Sequence, residues 1–132
     1  MKYRLMDLLA CPYCKLFPLK LIIFEKKYYG EREIDIKKIP FCEKYCSFYN
    51  KDVEALSIKP DCKECIKYEI ISAMLICEKC NRWYPVIEEI PILLPDELRN
   101  KNEDIEFLQK YRDKIPKKIL EEGIPFNLSS RG

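Results

Sequence analysis

Histidine and threonine are absent from this sequence, and glycine occurs only at positions 30, 123 and 132. Without an imidazole no conventional catalytic triad can be assembled, and the serines at 47, 57, 72, 129 and 130 have no histidine base to activate them. So few glycines leave no glycine-rich phosphate loop and no cradle for a dinucleotide or S-adenosylmethionine, so the chain is not expected to bind a nucleotide by itself. The missing histidine also restricts any zinc site to thiolates, with carboxylates a rarer option. Long apolar runs are missing too. Leu21-Ile22-Ile23-Phe24 and the stretch from Ile90 to Pro95 fall far short of the roughly 20 residues of a membrane helix. Leu8-Leu9-Ala10-Cys11 has the outline of a lipoprotein cleavage box, but Arg4 and Asp7 interrupt the segment ahead of it. The N-terminus therefore reads as mature and the chain as cytoplasmic.

What is present is a domain-sized chain of 132 residues, 48% hydrophobic and 35% charged, which is the composition of a folded protein. Its eight cysteines, with no export signal ahead of them, point to metal or redox chemistry before a secreted disulfide framework. The abundance of Ile, Lys and Glu beside a single glutamine is a hyperthermophile bias that an AT-rich genome also produces, and it keeps intracellular disulfides open. The formal charge of +2 counts thiols as neutral; one zinc held by four thiolates brings the total to zero, and a second such site makes it negative. Direct nucleic-acid binding through bulk charge is therefore not expected.

Residues 3–10 carry Leu5, Leu8 and Leu9 at helical spacing and stop at Cys11-Pro12, predicting a short helix that feeds a knuckle. Residues 19–29 read as a strand ending at Gly30, residues 68–76 as a buried strand, and 83–87 as another. Between them, from Glu31 to about Lys67, a charged segment broken by Pro40 and Pro60 reads as an insertion. After Pro95 a helix is predicted to Lys114, then a short one over Lys117 to Glu122, stopped by Gly123. The fold class is thus α+β: a zinc-ribbon-like domain (1–30 with 67–98) around a small antiparallel sheet, a cysteine-bearing insertion (31–66) and a helical extension (99–132).

Cys11-x2-Cys14 and Cys77-x2-Cys80, with 62 residues between them and each beside a β segment, match the paired knuckles of a zinc ribbon. Four thiolates leave no open position on the metal, so the role is structural. Two reduced, buried cysteine pairs are the plain alternative. Cys11-Pro12-Tyr13-Cys14 also spells a glutaredoxin active site, but a helix precedes it where a redox motif follows a strand. Cys42-x3-Cys46 and Cys62-x2-Cys65 are compatible with a second zinc site or with two disulfides, either of which staples an insertion too small for its own core. Glu88 and Glu89 read as a solvated turn, and Lys37-Lys38 and Lys117-Lys118 as solvated charge. Ile90-Pro91-Ile92-Leu93-Leu94-Pro95, apolar on both faces and bracketed by prolines, belongs at a sheet edge, covered either by residues 96–114 or by another protein.

Leu-Leu-Ala-Cys-Pro-x-Cys at the N-terminus, with the later Leu-Ile-Cys-x-x-Cys-x-x-Trp-Tyr-Pro-Val-Ile-x-x-Ile-Pro-Ile-Leu-Leu-Pro, resembles the methyltransferase-activating zinc subunit family, small partners of tRNA and translation-factor methyltransferases. The resemblance spans residues 3–24 and 70–98, and the segment between varies in that family. It implies a non-catalytic activator that adds a strand to the sheet of a class I S-adenosylmethionine-dependent methyltransferase. Cys11, Cys14, Cys77 and Cys80 would be the zinc ligands; Val86, Ile87, Ile90, Pro91, Ile92 and Leu93, with Leu5, Leu8 and Leu9, would form or back the partner surface. S-adenosylmethionine and tRNA would be met only through the partner. One departure stands out: Glu89 occupies the position before Ile-Pro where the family usually has glycine, which predicts a different turn there. A free-standing zinc ribbon that binds nucleic acid or the transcription machinery is the competing class.

Overall fold

The structure, a computed structural model, describes residues 1–32, 39–40 and 42–129. The Lys37-Lys38 pair lies outside the described residues. Four antiparallel strands form the main sheet in the order β1-β4-β5-β6, with β1 at Lys20–Tyr28, β4 at Tyr68–Ile76, β5 at Trp83–Ile87 and β6 at Ile90–Pro91. β4 is the central strand because it is apolar on both faces: Ile70, Ala73 and Leu75 enter one core, Met74 and Ile76 the other. β1 pairs along its full length, from Lys20 opposite Ile76 to Tyr28 opposite Tyr68, through two register shifts around Glu25.

The first core lies under the N-terminal segment and the insertion, where Met1, Tyr3, Met6, Cys11, Leu19 and Tyr45 pack on the sheet. The N-terminal segment is a 3-10 helix over Tyr3–Asp7 rather than a longer helix over 3–10. Its buried side is Tyr3, Met6 and Asp7, whereas Leu8 is 63% exposed and Leu5 and Leu9 are half-buried. Among its described residues the insertion holds a second sheet of two short strands, β2 (Tyr45–Cys46) and β3 (Lys51–Asp52), a 3-10 turn at Val53–Ala55 and one α-helical turn, α1 (Cys62–Cys65).

The opposite face of the sheet is covered by the C-terminal extension. Helix α2 (Lys101–Lys110) and helix α3 (Lys117–Glu122) bring Phe107, Leu108, Ile115 and Ile119 onto Phe24, Met74, Ile76 and Trp83. The single helix predicted over 96–114 is divided into a 3-10 turn at Asp96–Leu98, α2, and another 3-10 turn at Arg112–Lys114. The break is enforced at Arg99 and Asn100. Arg99 is extended and buried, its guanidinium donating to the Trp83 carbonyl and lying 2.8 Å from Asp104, and Asn100 caps α2 by accepting from the Glu103 N–H. α3 ends at Gly123, where a Cβ would stand 2.5 Å from the Ile119 carbonyl oxygen and 3.0 Å from the Trp83 ring. The chain then returns to β5: the Trp83 N–H donates to the Ile124 carbonyl, and the indole N–H to that of Phe126. Among the described residues no helix is long and apolar enough to cross a membrane.

Candidate metal centre

Two loops of the same construction meet at one end of the sheet. In the first, the Lys15 N–H donates to the Cys11 carbonyl and the Cys11 N–H to that of Leu16. In the second, Asn81 donates to Cys77 and Cys77 to Arg82, at matching distances. Each loop turns back through one left-handed residue, Lys15 at φ 64° and Asn81 at φ 62°. This doubled geometry brings the sulfurs of Cys11, Cys14, Cys77 and Cys80 within 4.8 Å of one another, the one such group among the described residues.

The donor set suits zinc. A tetrahedron with zinc–sulfur bonds of about 2.3 Å has sulfur–sulfur edges of about 3.8 Å; Cys11 and Cys80 stand at that spacing, 3.8 Å apart, and Cys14 and Cys77 stand closer, at 3.0 Å. Burial pushes the Cys11 thiol up, but it is outweighed by donation from the Cys14 N–H, the Tyr84 hydroxyl and the Tyr13 N–H, which draw it down to about 6. Cys77 is pushed up to about 12 by burial and by its hydrogen bond with Cys14. One thiolate is thus readily formed, and a dication is what Cys77 needs to lose its proton.

Outer groups that no sequence pattern indicated complete the site. The Tyr84 hydroxyl lies 3.5 Å from the Cys11 sulfur, and burial, followed by this bond, holds its own proton on to higher pH than usual. Arg82 stacks 3.6 Å from the Tyr13 ring centroid and makes a bidentate pair with Asp96, while the Asp96 N–H donates to the Tyr13 hydroxyl. The two knuckles and the segment after β6 are therefore fastened together beside the thiols. Only the lone aromatic inside the first motif, Tyr13, hinted at this in the sequence.

The residues expected at a partner surface separate into two kinds. Val86 is fully buried and can only back such a surface. Ile87 and Ile90 are exposed, Ile90 at 63%, and Pro91, Ile92 and Leu93 are half-buried. β6 is an edge strand, as expected, and residues 96–114 leave it uncovered because they serve the far face of the sheet. The β5–β6 turn has positive φ at both central residues, 49° at Glu88 and 71° at Glu89, so this two-residue hairpin places a glutamate in the left-handed position that favours glycine. Leu5, Leu8 and Glu89 line one open groove, which places the N-terminal leucines next to that turn. Cys42, Cys46, Cys62 and Cys65 are buried around a separate cleft.

Neither the curated proteins nor the solved structures offer a match to the chain. The family described as Trm112p-like protein matches residues 2–89, which takes in both knuckles and stops at the β5–β6 turn. The chain belongs to the Trm112p-like family, the small zinc subunits that activate methyltransferases.

Proposed function

We propose that this chain is a non-catalytic activating and stabilising subunit of S-adenosylmethionine-dependent methyltransferases that act on tRNA and translation factors, and that it forms a heterodimer by adding its β6 edge to the partner's sheet. In this reading Cys11, Cys14, Cys77 and Cys80 hold a zinc ion whose contribution is folding energy. The observation that carries the proposal is the β6 edge, with which no described strand pairs on its outer side. Ile92 turns its N–H inward to the Pro85 carbonyl, and by the alternation of an antiparallel pair the groups of Pro91 and Leu93 face away from β5. That edge offers two carbonyls and one N–H, since Pro91 has none to give. It is flanked by Ile87, Ile90 and Leu8, side chains that stay in water on the isolated subunit.

A partner strand laid along this edge would satisfy main-chain groups on both proteins and cover those side chains. Binding only the folded enzyme, the subunit would stabilise it by mass action. The test is affinity capture of the chain from its native extract, with the bound proteins assayed for S-adenosylmethionine-dependent methylation of tRNA. Recovery of a methyltransferase, lost when Ile90→Glu and Ile92→Glu are introduced together, supports the proposal. Recovery of RNA or polymerase subunits without a methyltransferase contradicts it.

A further inference from the structure

The activator reading uses one set of cysteines and leaves the other without a role. That second set sits where regular structure is scarce, with Cys46 on a strand of two residues, Cys62 and Cys65 on a helix of a single turn, and Cys42 outside both. Yet Cys42, Cys46, Cys62 and Cys65 are each more than nine-tenths buried, and all four line one narrow cleft.

Each pair is presented by its own backbone device. The Asp7 carboxylate accepts the N–H groups of Glu43, Lys44 and Tyr45 at 2.7–2.9 Å, gripping the whole loop between Cys42 and Cys46. Asp61 caps α1 by accepting from the Glu64 N–H at 3.0 Å, and the turn so formed sets Cys62 and Cys65, three residues apart, on one side. Two cysteine turns thus face each other across a cleft, the arrangement from which thiolate zinc sites are built.

We infer that Cys42, Cys46, Cys62 and Cys65 form a second structural zinc site that staples the insertion. A disulfide pair is the chemical rival, and the state of the cysteines argues against it. Cys11, Cys14, Cys77 and Cys80 can take a metal only as thiols, and the other four cysteines are likewise unbridged thiols among the described residues. Four thiolates around a dication leave two net negative charges, of which Arg4 on the cleft lining offsets one, with the Asp61 carboxylate also on that lining. The four sulfurs do not meet the mutual 4.8 Å spacing of the first set, so the metal draws the two turns together, which couples its binding to the ordering of the insertion. The inference rests on this geometry and is independent of the activator reading.

The test is zinc content of the full chain, purified under reducing conditions without chelator, by elemental analysis and native mass spectrometry. Two zinc ions per chain are expected, falling to one in Cys42→Ser with Cys46→Ser, and also to one in Cys62→Ser with Cys65→Ser. Reloading with cobalt(II) should give tetrahedral thiolate absorption twice as strong in the parent chain as in either variant. A parent chain that carries one zinc overturns the inference. So does an intact mass short of two hydrogens per bridge, with disulfides mapped to these four positions. The parent stoichiometry decides the matter even where a variant fails to fold.

Discussion

The two cysteine-bearing regions are held in opposite ways. The knuckles around Cys11 and Cys77 grow out of the main sheet and repeat one hydrogen-bonded loop twice, so their ligands are gathered by the same backbone that builds the core. Among the described residues the insertion has no such frame; it packs Tyr45, Phe48 and Cys65 on the core and is tied there by charged side chains. Asp7 grips the loop after Cys42. Glu69, buried in β4, takes Lys2 at 2.6 Å, Arg32 at 2.8 Å and the N-terminal amine at 3.3 Å, while Arg32 also donates to the Ile66 carbonyl at the insertion's far end. A cysteine cluster that shares its backbone with a sheet is part of the frame; one whose turns are held by carboxylate side chains is an attachment.

The strongest way to break this contrast is to remove one cysteine from each region. Cys77→Ser should unfold the whole chain, since structural zinc supplies roughly 10 kcal/mol or more, and far-UV circular dichroism should show the sheet lost. Cys62→Ser should leave the sheet intact and raise amide exchange only between residues 42 and 66. A sheet that survives Cys77→Ser would erase the distinction.

Glu69 gives the next largest effect. Burial pushes this carboxyl up, but hydrogen bonds from Lys2 and Arg32 and the N-terminal amine hold it down at about 2, against an ordinary 4.5. Because the folded value is the lower one, its stabilising contribution, about 3 kcal/mol, is complete above the ordinary value and fades as pH falls toward about 2. Glu69→Gln should therefore cost about that much near neutrality and nothing at the acid end. Comparing the two chains by denaturant titration at each pH removes the shared effect of zinc loss in acid. A gap that stays constant with pH would refute the assignment.

Asp7→Asn sharpens the contrast on a smaller scale. Its carboxyl sits below the usual range because burial, which raises it, is outweighed by the three N–H donors and by Arg4. The amide keeps one acceptor oxygen, so a loss of about 1–2 kcal/mol is expected, with faster exchange at Glu43 to Tyr45 and unchanged exchange in β4. The smallest effect should be a gain. Glu89→Gly relieves a left-handed residue and should stabilise the chain by about 1 kcal/mol, read as a rise in melting temperature.

The main strands were legible in the sequence because they are long and apolar: β4 and β5 fall on the predicted residues, and β1 within one at each end. Both knuckles were legible from spacing alone. The N-terminal helix misled, since its leucines mark the helical period while Tyr3, Met6 and Asp7 do the packing, and a buried aspartate is not read from hydropathy. The extension was seen as helical, yet nothing in its pattern disclosed that it covers a sheet face, or that Ile124 and Phe126 would bond to Trp83. The groups around the metal centre, Tyr84, Arg82 and Asp96, meet through tertiary contacts that span large stretches of sequence, and no local spacing encodes them.

The central claim, an activator that works through its open edge, is tested most directly by assaying the captured methyltransferase before and after this subunit is stripped away and added back. The account predicts that tRNA methylation collapses on removal and is restored by the parent chain but not by the Ile90→Glu, Ile92→Glu chain, although both bind zinc equally. Methylation that is indifferent to the subunit, or restored equally by both chains, would contradict it.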